Sequence, residues 1–162
     1  MTHPREKHIL LVEDDSSVLD LLKFAFEREG FRIDTAMDGR KALSITRVNL
    51  PDLIILDMMI PQKSGFEVIK ALQSTEHRDI PIIVITGRFD ENAVRDMVQY
   101  ETNVKEYLTK PLKINELVQK VHEILKTGGD GGAGDKGPEE TPGSEGSGDG
   151  QEREKNVWDM DI

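Results

Sequence analysis

Four positions in this chain set a reactive side chain at, or just past, the end of a strand-like run. The acidic triplet Glu13-Asp14-Asp15 follows HILLV, Asp57 closes DLIILD, Thr86 closes IPIIVIT, and Lys110 follows KEYLT. If these runs are parallel strands, their carboxyl ends share one edge, which is where ligands sit in open parallel sheets. Carboxylates, a hydroxyl and an ammonium then converge. Clustered carboxylates repel one another, and a hard divalent cation with oxygen ligands relieves that repulsion. Mg²⁺ commonly takes one or two protein carboxylates, several waters and a phosphate oxygen. Thr86 and Lys110 suit the flanks of such a phosphate, as hydrogen-bond donor and positive charge. The pattern asks for phosphoryl chemistry, with the Asp57 carboxylate as nucleophile.

Each residue taken singly has a plainer explanation. The acidic triplet could be a charge cluster at a helix start, favoured by the helix dipole. Asp57 could cap a turn, Thr86 could be a hydroxyl at a strand end, and Lys110 a solvated lysine. The elements between them decide the matter. HILLV (8–12) is an apolar run, and Ser16 or Ser17 can cap a helix with Val18, Leu21, Leu22, Ala25 and Phe26 at helical spacing, stopped by Gly30. FRIDTA, DLIILD, IPIIVIT and KEYLT read as further strands. GRKALSITRV, GFEVIKALQ, ENAVRDMVQY and INELVQKVHEILK read as helices between and after them. Five strand–helix pairs in succession predict a parallel sheet with helices on both faces. The first, third and fourth strands are nearly continuously apolar, which predicts a central position for them.

Composition narrows the function classes. There is no cysteine, so disulfide and thiolate–metal chemistry are excluded. No apolar run approaches the roughly 18 residues of a membrane span, and MTHPREKH lacks the apolar core of a signal peptide, so the expectation is a cytoplasmic protein without a membrane partner. The net charge of −10 disfavours non-specific nucleic-acid binding. From Thr127 onward the chain carries ten of its acidic and three of its basic residues, so this tail holds −7 and the rest only −3. Ten of the fourteen glycines also lie there. Residues 127–150 read as a flexible acidic linker with too little apolar surface to offset ordering, and 151–162 as a separate terminal segment.

The stretches ILLVEDDSSVLDLL, PDLIILDMMIPQKSGFEVI, PIIVITG and EYLTKPL together resemble the receiver domain of two-component response regulators, over about residues 7 to 126. The resemblance implies a doubly wound, flavodoxin-like sheet of five strands in the order 2-1-3-4-5, filling a domain at 1–126. It implies that Asp57 accepts a phosphoryl group from a phosphohistidine on a sensor histidine kinase or phosphotransfer protein. Glu13 and Asp14 match the acidic pair that holds Mg²⁺, Asp14 directly and Glu13 through water, with the Met59 carbonyl a further ligand. Thr86 and Lys110 match the phosphate-sensing hydroxyl and the phosphate-binding lysine. Tyr107 matches the aromatic that moves on activation, and the Lys110–Pro111 bond is expected to be cis. Two departures stand out: the segment from Thr86 to Lys110 is about two residues long for the family, and YETNVKEYLTKP lacks the usual Gly-Ala before the fifth strand. Arg88 and Met59 occupy positions that influence dephosphorylation in the family, and both favour slow hydrolysis here.

The expected function is a stand-alone, Mg²⁺-dependent phospho-acceptor that signals by protein contacts or by phosphorelay, without direct DNA binding, since residues after 126 do not read as a further folded domain. The alternative is a pseudo-receiver that binds protein without using phosphate. A nucleotide-binding or phosphatase fold is disfavoured because VEDDSS, not a glycine-rich loop, follows the first strand. In the terminal segment Trp158, Met160 and Ile162 alternate with Asp159 and Asp161, the period of a strand with one apolar face. Such an end suits docking on a downstream partner or on this domain's own face; the competing expectation is a terminus that docks on nothing.

Overall fold

The structure is a computed structural model and describes residues 2–87, 91–128 and 160–162. Of the expected linker at 127–150, residues 129–150 lie outside the described residues, as do Arg88 and Trp158, while Thr127 is buried and forms a parallel bridge with Thr2. Five parallel strands, β1 (His8–Val12), β2 (Arg32–Ala36), β3 (Leu53–Asp57), β4 (Ile82–Thr86) and β5 (Val104–Thr109), form one sheet in the order β2-β1-β3-β4-β5. The helices are α1 (Ser16–Arg28), α2 (Gly39–Val48), α3 (Gly65–Gln73), α4 (Glu91–Val98) and α5 (Ile114–Leu125). A 3-10 turn at Pro4–Glu6 precedes β1.

The apolar runs become the middle of the sheet. Every residue of β1, β3 and β4 is buried, while β2 and β5 at the edges are only partly covered. Because successive side chains point to opposite faces, each central strand feeds two cores. Ile9, Leu11, Ile55 and Ile83 pack with Leu22, Phe26, Leu117 and Val121 of α1 and α5. Leu10, Ile54, Leu56 and Val84 pack with Leu43, Val68, Ile69 and Val94 of α2, α3 and α4. A strand flanked by helices on both sides has no solvent face to make polar, which is why these runs carry no alternation.

Helix starts follow from short polar side chains, with one correction. The cap of α1 is Asp15, whose carboxylate accepts from the Ser17 and Val18 amides, rather than Ser16 or Ser17. A carboxylate there meets both the orphan donors and the positive end of the helix dipole, so it outcompetes a hydroxyl. Asp38 caps α2, and Ser64 forms a reciprocal capping box with Glu67 at α3.

Two features shape the chain before Lys110. The β4–β5 register steps from Ile82↔Val104 to Ile83↔Glu106, so β5 carries one extra residue as a bulge. Ahead of β5, buried Glu101 pairs with Lys70 Nζ at 2.5 Å and accepts from Gln73 Nε2. Gln73 also donates to Asn103 Oδ1 at 3.2 Å, and the Asn103 carbonyl accepts from the Ile82 amide at 2.8 Å. Polar side chains of α3 thus anchor the turn into β5.

Gly65 fixes how closely α3 approaches the end of β3. Its amide donates to the Met58 carbonyl at 3.1 Å, and a Cβ there would lie 2.7 Å from Met58 Cα and 3.0 Å from the Asp57 carbonyl oxygen. Gly65→Ala is expected to push α3 off the strand end and destabilise the domain by about 1–3 kcal/mol. Urea unfolding measures this, and an unchanged midpoint would show that the approach can relax without cost.

Candidate functional site

The topology brings the strand ends to one edge, and the local backbone aims their side chains. β1 runs into Glu13, whose amide bonds the Ala36 carbonyl of β2 at 3.0 Å. The chain then turns outward at Asp14 and into α1 at Asp15. Glu13 Oε1 accepts from the Asp15 amide at 3.2 Å, which bends the carboxylate back over the strand end. β3 ends at Asp57, and its Oδ1 accepts from the Met59 amide at 2.8 Å. β4 ends at Thr86, whose carbonyl accepts from the Lys110 amide at 2.8 Å and so ties the loop after β5 to the sheet. The Lys110–Pro111 bond is cis, as the resemblance implies.

Lys110 is the junction. Its Nζ lies 2.9 Å from Asp57 Oδ2 and 3.0 Å from Glu13 Oε2. Glu13 and Asp57 are buried, at 2% and 4% exposure, whereas Asp14 stands exposed above them. Carboxylate oxygens of Glu13, Asp14 and Asp57 all lie within 4.8 Å of one another. They open onto a cleft of about 440 Å³ that Met59, Gly87 and Lys110 also line.

The electrostatics leave the site short of positive charge. Burial first, then hydrogen bonding to and charge on Asp57, raise the Glu13 carboxyl from 4.5 to about 7, against the pull of Lys110 and the Asp15 amide. Burial lowers Lys110, but hydrogen bonds and charges from Asp57 and Glu13 outweigh it and hold the ammonium above its ordinary value. One lysine therefore does not balance the carboxylates, and burial beside Asp57 keeps the Glu13 carboxyl above the usual carboxylate range. A hard divalent cation would supply further positive charge, and the carboxylate ligands available to it are all oxygens. The residues suit Mg²⁺.

Other expected site residues are placed less centrally. Thr86 is fully buried, and its hydroxyl reaches the Gly87 carbonyl at 3.4 Å behind the cleft wall. The Met59 side chain is exposed at the mouth. Tyr107 does not line this cleft. It packs partly against the α2–α4 core and lines a separate groove with Arg95, Val98 and Val104. The simultaneous bridging of two carboxylates by Lys110 is not visible in sequence, since the contact spans 97 residues to Glu13 and 53 to Asp57.

A parallel doubly wound sheet in this order, with an acidic pocket at its carboxyl edge, defines the flavodoxin-like receiver class of fold. The chain belongs to the response regulator receiver family: the family model described as response regulator receiver domain matches residues 9–122. It is 38% identical over 118 residues to the transcriptional regulatory protein CpxR of Escherichia coli, covering 73% of this chain and 49% of that protein. It is 36% identical over 120 residues to the alkaline phosphatase synthesis transcriptional regulatory protein PhoP of Bacillus subtilis, covering 74% and 49%. The chain spans about half the length of the curated relatives it matches. Among solved structures, the receiver domain of Francisella response regulator 1452 matches with a TM-score of 0.67 at 28% identity, covering 74% of this chain and 97% of that one. A CheY-like receiver domain protein from Methanospirillum hungatei matches with a TM-score of 0.66 at 26% identity, covering 74% and 94%. The protein therefore carries the receiver domain of a response regulator, the class of protein that belongs to two-component signalling. Among the described residues, no helix is long and apolar enough to cross a membrane.

The raised Glu13 carboxyl has a consequence for stability. Between roughly pH 4.5 and 7 the folded protein holds a proton there that the unfolded chain has released, so stability falls as pH rises through that window. In chelator, the loss between about pH 5 and about pH 8 is expected to be on the order of 2–3 kcal/mol, and Glu13→Gln should remove most of the slope. Urea titrations across this range measure it. An equal slope in the variant would place the responsible proton elsewhere.

Proposed function

We propose that Asp57 is the phospho-acceptor and that the cleft around it binds Mg²⁺ through Glu13, Asp14, Asp57 and the Met59 carbonyl. The observation that carries this reading is the presentation of Asp57. A buried carboxylate is pinned through Oδ1 by the Met59 amide at 2.8 Å, paired through Oδ2 with Lys110 at 2.9 Å, and faces an open cleft. In the reaction an Asp57 oxygen attacks the phosphorus of a phosphohistidine on a sensor kinase or phosphotransfer protein. The new O–P bond forms as the N–P bond breaks, and the imidazole nitrogen leaves with the electron pair. A divalent cation held by Glu13, Asp14, Asp57 and the Met59 carbonyl would supply the positive charge that offsets the phosphoryl oxygens.

The protein's own groups do the rest. Lys110 is already within reach of Asp57 and holds a phosphoryl oxygen by a charge-assisted contact. The Met59 amide keeps the nucleophile oriented, so little reorganisation accompanies attack. The Thr86 hydroxyl, bonded only weakly to Gly87 in this structure, is the group that gains a partner when phosphate arrives and biases the surrounding loops toward a second arrangement. Tyr107, on the adjoining edge strand, reports that change. The thioether of Met59 at the cleft mouth offers attacking water no hydrogen bond, which supports slow hydrolysis of the acyl phosphate.

Output is proposed to pass through protein contacts or a phosphorelay. Although CpxR and PhoP are named as transcriptional regulators, the matched region lies within the receiver fold, and the strongly acidic segment after residue 126 opposes binding to the phosphate backbone.

Phosphorylation by acetyl phosphate with Mg²⁺, or by a histidine kinase, tests the assignment. Asp57→Asn and Asp14→Asn should each abolish stable incorporation. Lys110→Ala should slow it by about 100-fold, as for loss of a donor to a developing oxyanion. Thr86→Ala should take up phosphate near the parent rate but leave the Tyr107 environment unchanged. Undiminished incorporation into Asp57→Asn would sink the assignment of the nucleophile. A parent protein that takes up no phosphate would favour the pseudo-receiver reading.

A further inference from the structure

The last residues of the sequence sit on the loop that follows Lys110, in a specific register. The Leu112 amide donates to the Ile162 carbonyl, and the Ile162 amide donates back to the Leu112 carbonyl at 2.7 Å. This is the reciprocal hydrogen-bonded pair of antiparallel strands. Lys113 stands opposite Asp161 in an antiparallel bridge, and the Ile114 amide is 3.5 Å from the Met160 carbonyl. The register sets Leu112 against Ile162, Ile114 against Met160, and base against acid between them. A slip of one residue would set a charge against an apolar partner at every position. Ile162 packs on the same core cluster that contains Leu112, Ile114 and Leu117.

A second feature concerns the start of α5. Its N-cap is Lys113, which makes no side-chain capping bond. Lysine is also the wrong charge for the positive end of a helix dipole. The other well-described caps in the domain are Asp15, Asp38 and Ser64, all acceptors. At α5 the missing acceptor comes from elsewhere: the Met160 carbonyl faces the first helical amide, and Asp161 lies opposite Lys113. The alternation in the terminal residues and the poorly capped helix thus complement each other.

We propose that Met160–Ile162 is a tethered strand that adds to Leu112–Ile114 and caps α5, making this loop an interaction surface whose resident occupant is the chain's own end. The surface begins two residues past Lys110, so the tail holds the segment that carries the site's ammonium. Tethering keeps the terminal residues at an effective concentration near the millimolar range, high enough for a short strand to stay docked without a large interface.

Amide hydrogen exchange on the full chain and on a version lacking residues 160–162 tests the proposal. Without the tail, the Leu112 and Ile114 amides should exchange at least about tenfold faster, because their acceptors are gone. The Ile83 and Ile85 amides in the central strand should be unaffected, which verifies that the domain stays folded. Ile162→Asp should reproduce the loosening at full chain length by removing the apolar anchor. Unchanged protection in both variants would overturn the proposal. So would protection in the parent that falls on dilution, since that would make the occupant a second copy of the chain.

Discussion

The structure depends on one buried charge arrangement: the Lys110 ammonium between Asp57 and Glu13. Each carboxylate alone would be costly at the end of a buried strand, and a lone half-buried ammonium would be costly beside them. Together they compensate, yet incompletely, and the raised Glu13 carboxyl is the sign of it. A site that is slightly short of positive charge is suited to a divalent cation. A lysine already engaged with Asp57 is suited to follow whatever joins that carboxylate.

The surrounding fold holds this arrangement in place. The parallel sheet places the ends of β1, β3, β4 and β5 on one edge, and main-chain bonds set the finer geometry. The Lys110 amide is bound to the Thr86 carbonyl, and the Met58 amide to the Ile85 carbonyl. Gly65 lets α3 abut the strand end beneath Asp57, where a methyl group would collide with main-chain atoms. The site is consequently stiff on the β3 side. On the β5 side it is carried by a loop that the terminal residues brace.

Away from the site, the approach to β5 has its own anchoring. β5 carries a bulge, and buried Glu101 is linked to Lys70 and Gln73. A buried charge held by two residues of α3 couples that helix to the α4–β5 turn. The groove lined by Tyr107 lies on the same strand. Its shape is therefore set partly by residues that a comparison of motifs alone would pass over.

Much was determined by the sequence alone. Apolar runs of strand length ending in Glu13, Asp57 and Thr86 required a sheet buried on both faces, and helical spacing between them required crossovers, so the order of elements and the edge carrying the chemistry were legible. Local rules also placed α2 and α3 to the residue, because a cap and a glycine sit at their starts. At the start of α1, Asp15 and the serines after it all suit the cap, and the carboxylate's added attraction to the helix dipole decides for Asp15. What tertiary structure alone decided are contacts between residues distant in sequence: Lys110 joining two carboxylates, Glu101 answered by α3, and Met160–Ile162 pairing with Leu112–Ile114. A residue's type announces that it needs a partner, whereas which partner it finds depends on how the chain folds back. The alternation at the end of the sequence allowed either a docked segment or one that docks on nothing, and only the main-chain bonds to Leu112 and Ile114 place it.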